Sequence, residues 1–482
     1  MKEVLQKAFS LLNKETENFC ALSDKIWEIP ETAFLEYEST AVLVKALKDY
    51  GFDVSEKVAG IDTAFLGRYG SGKPVIGILG EYDALSGLSQ KSCGLTKEPV
   101  ISGGAGHGCG HNLLGVGALA AAVAIKEYIK ESGCSGTVIY YGCPGEEGGS
   151  GKAFMARDGV FDELDCAITW HPWDTNRVSN ESSLANYQVA YKFKGVSSHA
   201  ASSPHLGRSA LDAVELMNVG VQFLREHVLD SVRIHYAITD AGGYSPNVVQ
   251  SKAEVLYLIR AKENGYLEEV YQRVNKIAQG AALMTDTELE IDFIKACSNY
   301  VCNDTMMHTA QQSFDEIAPP TYTEEEVQFA RDVQNSLENK ANPYLRQGNR
   351  YSNADAKKFI FDQMDKPIFD FVWPFADVEG DLGGSTDVGD VSWVCPTVQI
   401  MTATKPALVP GHSWQMTGVG KSSIAHKGMM YAAKIMADTA VRLLEDPAKV
   451  EAAKADLKAR LGGAKYECAI PKQVRPRAIA PK

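Results

Sequence analysis

A short segment, His107-Gly108-Cys109-Gly110-His111-Asn112, concentrates residue types that bind metals. Thiolate and imidazole groups are both good ligands for transition metals. The intervening glycines let the backbone come close to whatever these side chains hold. The apolar run from Leu113 to Ile129 follows directly and predicts a helix. Taken alone, the segment is also compatible with a tight turn before a helix that carries an incidental cysteine.

Three predicted strands each lead into residues that could bind a metal or move a proton. They are Val75–Leu79 before Glu81 and Asp83, Thr137–Tyr141 before Glu146 and Glu147, and Cys166–Trp170 before His171. Open α/β sheets place their ligands at the carboxyl ends of strands. Five residues that follow apolar runs or glycine turns are therefore candidate metal ligands: Cys109, His111, Glu147, His171 and His412. A lone histidine such as His171 can equally be a buried, hydrogen-bonded group.

The adjacent carboxylates Glu146 and Glu147 need a separate explanation, because like charges repel unless a cation lies nearby. Beside a metal ion, one carboxylate can bind the ion while the other acts as a base. A solvated acidic turn is the alternative. The apolar strand before the pair and the glycines after it favour the metal site.

The order of predicted elements indicates an α/β catalytic domain with a mixed, mostly parallel sheet. From residue 187 to residue 302 the order becomes β-α-β-β-α-β, which is typical of a ferredoxin-like unit. We therefore expect a discontinuous metal-binding catalytic domain, residues 1–186 and 303–482, with an inserted α+β lid and dimerisation domain, residues 187–302. Three local predictions are a single helix over residues 1–28, a hairpin turn over 67–74, and a loop over 383–390.

The overall composition restricts the class of protein. The 482 residues carry a formal net charge of -13, which argues against a nucleic-acid partner because phosphate binding needs a basic face. The ten cysteines lie mostly in apolar surroundings, which indicates free thiols rather than a disulfide framework. The N-terminus lacks a hydrophobic signal core, and Lys126 and Glu127 interrupt the longest apolar run. We expect a soluble, cytoplasmic protein with no membrane contact.

The chain resembles the M20 metallopeptidases, in the amidohydrolase branch that acts on acyl–amino acid conjugates. The resemblance rests on motifs spread over nearly the whole chain: Ile26 to Glu31, Tyr82 to Leu85, His107 to Asn112, Pro144 to Gly148, Ser198 to Gly207, and His412. The longer strings Leu79 to Gln90, Phe193 to Leu211, Thr386 to Trp393 and Ser423 to Met429 are similar to members of the branch that act on p-aminobenzoyl-glutamate.

The resemblance implies a role for each site residue. Two divalent metal ions would be bound by Cys109, His111, Glu147, His171 and His412, with Cys109 bridging. Glu146 would be the general base and acid, Asp83 a supporting carboxylate, and His199 a catalytic residue that reaches the active site of a partner subunit. Asn247 and Arg260 would bind the carboxylate end of the substrate. Two departures from the family pattern are Glu81, in place of a metal-binding histidine, and Asn112, in place of an aspartate.

The resemblance also implies an enzyme, a metal-dependent amidohydrolase whose leading substrate is p-aminobenzoyl-glutamate. Other acyl–amino acid conjugates, such as indole-acetyl-aspartate, and dipeptides remain open, as does a non-catalytic partner subunit. The thiolate favours a zinc-like ion, whereas the resemblance points to Mn²⁺, which we expect. The small-molecule substrate would be cleaved by a homodimer or by a heteromer with a homologous M20 subunit.

Overall fold

The computed structural model describes residues 2–339, 341–344, 350–376, 378–381 and 383–478. The strands of these residues are β1 (Asp53–Glu56), β2 (Phe65–Ser71), β3 (Val75–Glu81), β4 (Gly136–Cys143), β5 (Cys166–Trp173), β6 (Arg177–Val178), β7 (Glu181–Ser182), β8 (Ala185–Lys194), β9 (Arg233–Asp240), β10 (Lys252–Ala261), β11 (Glu288–Cys297), β12 (Gly380–Asp381) and β13 (Thr397–Ala403). They form sheets of seven, four and two strands, the last of which pairs β7 with β12.

The α-helices of the described residues cover these sheets and connect their strands. They are α1 (Lys2–Lys14), α2 (Thr16–Glu28), α3 (Tyr37–Asp49), α4 (His111–Ser132), α5 (Gly151–Arg157), α6 (Ala210–Leu224), α7 (Asn264–Thr285), α8 (Asp304–Glu316), α9 (Glu324–Asn335), α10 (Ala354–Asp362), α11 (Val388–Val394), α12 (Trp414–Val419), α13 (Ser423–Glu445) and α14 (Pro447–Leu461).

The seven-stranded sheet has the order β1-β2-β4-β3-β5-β13-β6. Its four central strands are parallel, whereas β1, β2 and β6 are antiparallel to their neighbours. This confirms the predicted mostly parallel sheet. Glu81 at the end of β3 lies opposite Cys143 of β4, and His171 of β5 lies opposite Met401 of β13. The loops after these strands therefore meet at one edge of the sheet.

Helix α4 forms the centre of the core, between β3 and α13. The Trp170 indole of β5 donates a hydrogen bond to the Leu114 carbonyl at 2.9 Å. A Cβ atom at Gly117 would lie 2.7 Å from the same indole ring, so glycine allows the helix to approach the strand. Among the described residues, α4 is the one helix long and apolar enough to cross a membrane, and 89% of its apolar window is buried within the protein. That burial is expected of a core helix.

The four-stranded sheet has the order β11-β8-β10-β9, and all of its strand pairs are antiparallel. Helices α6 and α7 pack against each other and against this sheet. The arrangement confirms the predicted ferredoxin-like unit. Its strands run from Ala185 to Cys297, and the domain boundaries at residues 187 and 302 stay predictions. We call this unit the lid.

Three local predictions were wrong. The helix over residues 1–28 is interrupted at Glu15, where the Thr16 hydroxyl donates to the Leu12 carbonyl at 2.9 Å, a bond that commonly bends helices. Residues 67–74 do not form a hairpin turn, because β2 and β3 each pair with β4, which lies between them. The loop over 383–390 ends early, since α11 begins at Val388.

Candidate metal centre

The five predicted ligands form two groups that share Cys109. One group contains Cys109, His111 and His171, and the other contains Cys109, Glu147 and His412; within each group the donor atoms lie within 4.8 Å of one another. The Cys109 sulfur is 3.4 Å from His171 Nε2, and His412 Nε2 is 3.2 Å from Glu147 Oε1. The structure therefore brings together five side chains that are as much as 303 residues apart, from Cys109 to His412.

The backbone around Cys109 explains the glycines of this segment. Gly110 has a φ of +81°, and a Cβ atom there would lie 2.7 Å from Met416 Cε, so a side chain would be strained and crowded. His412 also has a left-handed backbone, with a φ of 55°, and its N–H donates to the Gly108 carbonyl at 2.8 Å. Strained conformations of this kind persist where the surrounding structure fixes them, often at functional sites.

Two of the histidines are held by the nitrogen that faces away from the other donors. His111 Nδ1 lies 2.9 Å from Asp83 Oδ1, and His171 Nδ1 lies 2.9 Å from the Pro172 carbonyl. These contacts orient the rings and direct Nε2 of each toward the donor group. His111 Nε2 is buried and has no hydrogen-bond partner among the described residues. A buried polar atom without a partner is costly, so this nitrogen fits metal ligation.

The loop that carries Glu146 and Glu147 is held by two buried carboxyl groups. Asp83 Oδ2 accepts a hydrogen bond from the Glu147 N–H at 2.9 Å, so Asp83 contacts both His111 and the Glu147 backbone. Glu36 Oε1 accepts from the Gly145 N–H at 2.9 Å. Burial, followed by the nearby Asp83, raises the pKa of Glu36 to about 8. Sequence reasoning missed Glu36, which lies more than a hundred residues before the loop.

The electrostatics of the site separate the two adjacent glutamates. Burial, followed by the charges of Glu81 and Glu147, raises the pKa of Glu146 well above its usual range. Burial also opposes ionisation of Glu147, but hydrogen bonding to His412 and the charge of His111 outweigh it and lower the pKa of Glu147 to about 2. Carboxyl groups whose pKa values are pushed apart in this way can divide the roles of proton carrier and ionised ligand.

The pKa of the thiol is shifted in the direction that metal binding needs, whereas the pKa of the exposed histidine is shifted against it, because a metal-binding imidazole must be neutral. Burial and Glu147 raise the pKa of Cys109, but His171 and His111 outweigh them and lower it to about 6. Hydrogen bonds with Cys109 and Glu147 raise the pKa of His412 to about 10 in the metal-free protein. A thiolate, imidazoles and a carboxylate at these distances fit two divalent ions that share the sulfur.

Three further charged residues complete the buried surroundings, and two of them were not candidates from the sequence. Lys152 Nζ lies 2.7 Å from Glu81 Oε1 and 2.5 Å from Asp387 Oδ1, and all three side chains are buried. Glu81 Oε2 is 3.4 Å from His111 Nε2. Lys152 follows the glycine-rich loop and Asp387 falls within the string Thr386 to Trp393, but nothing in the chain's periodicity relates either residue to Glu81.

Two of the remaining motif residues support the backbone instead of the donors. His107 Nε2 lies 3.1 Å from the Ile26 carbonyl at the end of α2. Burial, followed by the charge of His111, lowers the pKa of His107 to about 3, which fits a neutral imidazole. Asn112 donates to the Ser23 hydroxyl at 3.0 Å. Its orientation leaves the support of His111 to Asp83.

The three candidate residues of the lid, Arg260, His199 and Asn247, make no contact with the candidate metal ligands among the hydrogen bonds of the described residues. The Arg260 guanidinium donates to the Ser385 hydroxyl at 3.0 Å, and its Nε is buried without a partner among the described residues. His199 is exposed, and its Nδ1 accepts from the N–H groups of Ala201 and Ser202. Asn247 is also exposed, and its carbonyl accepts from the Ala200 N–H at 2.9 Å. These hydrogen bonds of His199 and Asn247 are made with residues of the lid itself.

Comparisons with known proteins agree with this geometry. Residues 77–355 match the model of peptidase family M20/M25/M40. The chain is 45% identical over 481 residues to the B subunit of p-aminobenzoyl-glutamate hydrolase from Escherichia coli (strain K12), covering 99% of each chain. It is 27% identical over 252 residues to the A subunit of that hydrolase, covering 50% of this chain and 55% of the relative.

A solved structure shows the same fold. The YXEP protein of Bacillus subtilis, described as a dinuclear metal binding peptidase from the M20 family, superposes with a TM-score of 0.55 at 15% identity. The match covers 90% of this chain and 99% of that chain.

Proposed function

The chain belongs to peptidase family M20/M25/M40 and is a hydrolase of amide bonds, and on this basis we propose that it cleaves p-aminobenzoyl-glutamate to p-aminobenzoate and glutamate. The similarity to a hydrolase subunit of that name extends over almost the full length of both chains. The structural observation that carries the proposal is the sharing of Cys109 by two donor groups, with the proton-carrying Glu146 beside them.

We assign the metal ligands as Cys109, His111 and His171 for one divalent ion and Cys109, Glu147 and His412 for the other. We propose Mn²⁺ as the ion, with Zn²⁺ as the alternative that the thiolate favours. When bound, the two ions polarise the amide carbonyl and lower the pKa of the attacking water. Asp83 keeps the His111 ring oriented throughout.

Glu146 is assigned as the general base and acid. Its raised pKa, caused by burial and then by Glu81 and Glu147, suits a carboxyl group that accepts a proton from water and holds it. The same proton is then delivered to the nitrogen of the departing glutamate. Glu146 returns to its ionised form after these two transfers, because the proton that it accepts from water is the one that it gives to the leaving nitrogen.

Arg260 is assigned to the carboxylate end of the substrate. Its guanidinium is half-buried and donates a hydrogen bond to the neutral Ser385 hydroxyl. Burial lowers the pKa of Arg260, because no carboxylate among the described residues compensates the desolvation. A bidentate substrate carboxylate would supply that partner. Asn247 is assigned to the same end of the substrate when the lid of one subunit faces the site of another.

The lid is proposed to pair with a second subunit, which is either a copy of this chain or a homologous M20 subunit. The similarity to relatives named as the two different subunits of one hydrolase supports the heteromer. Several large apolar side chains are exposed on the lid, including Phe223, which is 72% exposed, and Tyr236 and Ile238 on β9. Pairing would cover these side chains and bring His199 to the partner's metal centre as an oxyanion donor.

The cellular location is proposed to be the cytoplasm. All ten cysteines are free, as expected in a reducing compartment.

The proposal is tested by measuring p-aminobenzoate release from p-aminobenzoyl-glutamate by the Mn²⁺-loaded chain, alone and with a co-expressed homologous subunit. Indole-acetyl-aspartate and a dipeptide serve as competing substrates. The expected result is the highest kcat/KM for p-aminobenzoyl-glutamate and its loss in Glu146→Gln. A higher kcat/KM for another conjugate would reassign the substrate, and undiminished turnover by Glu146→Gln would contradict the mechanism. Activity that survives only through the partner's own residues would support a non-catalytic subunit.

A further inference from the structure

A buried lysine lies between two buried carboxylates at the edge of the metal centre. Lys152 is 0% exposed, and Glu81 and Asp387 are nearly as inaccessible. The ammonium is 2.7 Å from Glu81 Oε1 and 2.5 Å from Asp387 Oδ1. A fully buried charge is retained only where its partners offset the cost of desolvation. This cluster is therefore a built feature of the site, although the proposed mechanism assigns it no step.

The contact with Lys152 determines which oxygen of Glu81 faces the metal centre. Because Lys152 occupies Oε1, the other oxygen, Oε2, is the one directed at His111 Nε2, at 3.4 Å. Donor atoms of Glu81, His111 and Glu146 lie within 4.8 Å of one another. His111 Nε2 has no hydrogen-bond partner among the described residues. Glu81 thus adds a negative oxygen at the position where an ion bound to His111 would lie.

The contact with Asp387 connects the same lysine to the lid. The Lys152 backbone N–H donates to Asp387 Oδ2 at 2.8 Å, so lysine and aspartate are joined at two points. Asp387 lies two residues after Ser385, whose hydroxyl accepts the hydrogen bond from Arg260. A continuous series of polar contacts therefore runs from His111 through Glu81, Lys152 and Asp387 to the loop that Arg260 contacts.

We propose that Lys152 is a positioning residue that holds Glu81 Oε2 against the ion bound by His111 and fixes the Asp387 loop relative to that ion. The inference rests on the proposed two-ion centre. The direction in which Lys152 changes metal affinity distinguishes a positioning role from a purely electrostatic one. A lysine that acted only as a nearby positive charge would repel a metal cation, so its removal would strengthen metal binding. A lysine that positions Glu81 has the opposite effect, and its removal weakens metal binding.

The test is a calorimetric titration of the full-length, chelator-stripped chain with Mn²⁺ alone. Lys152→Met is expected to weaken binding of the ion at the His111 group by about 10- to 100-fold, the usual effect of losing a residue that orients metal ligands. Lys405→Met is the matched control. Lys405 is also a buried lysine near the centre, but its ammonium lies over the Trp173 ring, 4.7 Å from the centroid, and its charge interacts with Asp174 and then with Cys109. Its replacement is expected to leave Mn²⁺ affinity unchanged or increased.

A double-mutant cycle tests whether Lys152 acts through Glu81. Glu81→Gln is expected to weaken Mn²⁺ binding to a similar extent, and Glu81→Gln with Lys152→Met is expected to be no weaker than either single variant. The absorption spectrum of the Co²⁺-loaded chain should change in the same way in all three variants. Unchanged or tighter Mn²⁺ binding by Lys152→Met, or additive losses in the cycle, would overturn the inference.

Two outcomes outside the cycle are also decisive. If Lys152→Met does not fold, as judged by its thermal unfolding, Glu81→Gln carries the test, because it removes the negative charge and one of the two carboxylate oxygens and keeps the pair of Lys152 and Asp387. Unchanged Mn²⁺ binding by that variant would then overturn the inference. If the unsubstituted chain binds no Mn²⁺ or Co²⁺, the proposed function itself is contradicted. Equal binding by the unsubstituted chain and the Lys152 variant is a different result, and it contradicts only the role of Lys152.

Discussion

The metal centre and the lid contribute residues to the proposed reaction in different ways. The donors of the centre contact one another within one chain, as the Cys109–His171 and Glu147–His412 distances show. His199 and Asn247 of the lid are exposed and are held by their own loop. One chain thus brings the five candidate metal ligands together by itself, whereas the proposed roles of His199 and Asn247 require the lid to face another site. Substitutions on either side of this contrast should therefore have different effects.

The largest effect is expected from loss of the shared sulfur. Cys109→Ala removes a ligand from both donor groups, so we expect both ions to be lost and activity to fall to background. Metal analysis of the purified variant measures the first effect, and p-aminobenzoate release measures the second. Added Mn²⁺ should restore the activity of the chelator-treated unsubstituted protein but should not restore the activity of this variant. Retention of one ion would contradict the proposal that both ions need the Cys109 sulfur.

Replacing the proton carrier should abolish chemistry without removing the metals. Glu146→Gln is expected to lower kcat by about 10²- to 10⁴-fold, the usual contribution of general acid–base catalysis. Metal content should stay that of the unsubstituted chain, since Glu147 and not Glu146 completes the shared-sulfur group with His412. Exposed Glu163→Gln is the control for loss of a carboxylate elsewhere. A loss of metal in Glu146→Gln would instead make Glu146 a ligand.

The proposed role of His199 in the lid is tested by complementation between two inactive variants. His199→Ala is expected to lower kcat by about 10²- to 10³-fold, as for removal of an oxyanion donor. If His199 acts on the partner's centre, mixing and reassembling this variant with Glu146→Gln restores one intact site per mixed dimer, or about a quarter of full activity at equal amounts. Lack of any recovery, with subunit exchange verified by native mass spectrometry, would contradict action across a homodimer.

Arg260 lies at the junction of the two regions, and its loss should affect binding more than turnover. Arg260→Met is expected to raise KM by about 10- to 100-fold, in line with about 1.5–3 kcal/mol for hydrogen bonds to a charged group. Arg233→Met is a suitable control, because Arg233 lies opposite Arg260 on the neighbouring strand β9 but is exposed. An equal rise in KM for both variants would indicate a general change in lid charge and not a substrate contact.

Some residues of the candidate site could be predicted from the sequence, and others could not. The sequence could predict that five side chains lie close together, because each follows a strand or glycine turn and parallel strands end at one edge: Cys109, His111, Glu147, His171 and His412. Asp83 could be placed beside them for the same reason. Lys152 and Asp387 could not, since a pair 235 residues apart leaves no periodic signal. The break at Glu15 and the position of β4 between β2 and β3 depend on local hydrogen bonds and sheet order, which apolar periodicity does not encode.

The smallest expected effect concerns the ion pair between His412 and Glu147 in the metal-free protein. Hydrogen bonds with Cys109 and Glu147 raise the folded-state pKa of His412 from 6.5 to about 10. The resulting stability is therefore complete below pH 6.5 and is lost as pH rises toward 10. Glu147, whose pKa falls from 4.5 to about 2, contributes stability that is complete above pH 4.5 and is lost as pH falls toward 2.

This pair should thus stabilise the metal-free protein most between about pH 4.5 and 6.5. Because the His412 side chain is 57% exposed, solvent screening limits the contribution to about 1 kcal/mol or less. The contribution of the pair is measured as the difference in free energy of unfolding between the metal-free chain and its His412→Asn variant, determined by thermal unfolding at each pH. A difference that grows from pH 6.5 to 10 would contradict the pairing. Since an ion must displace the His412 proton, Mn²⁺ affinity should rise over that same interval, so metal-free stability and metal binding change in opposite directions.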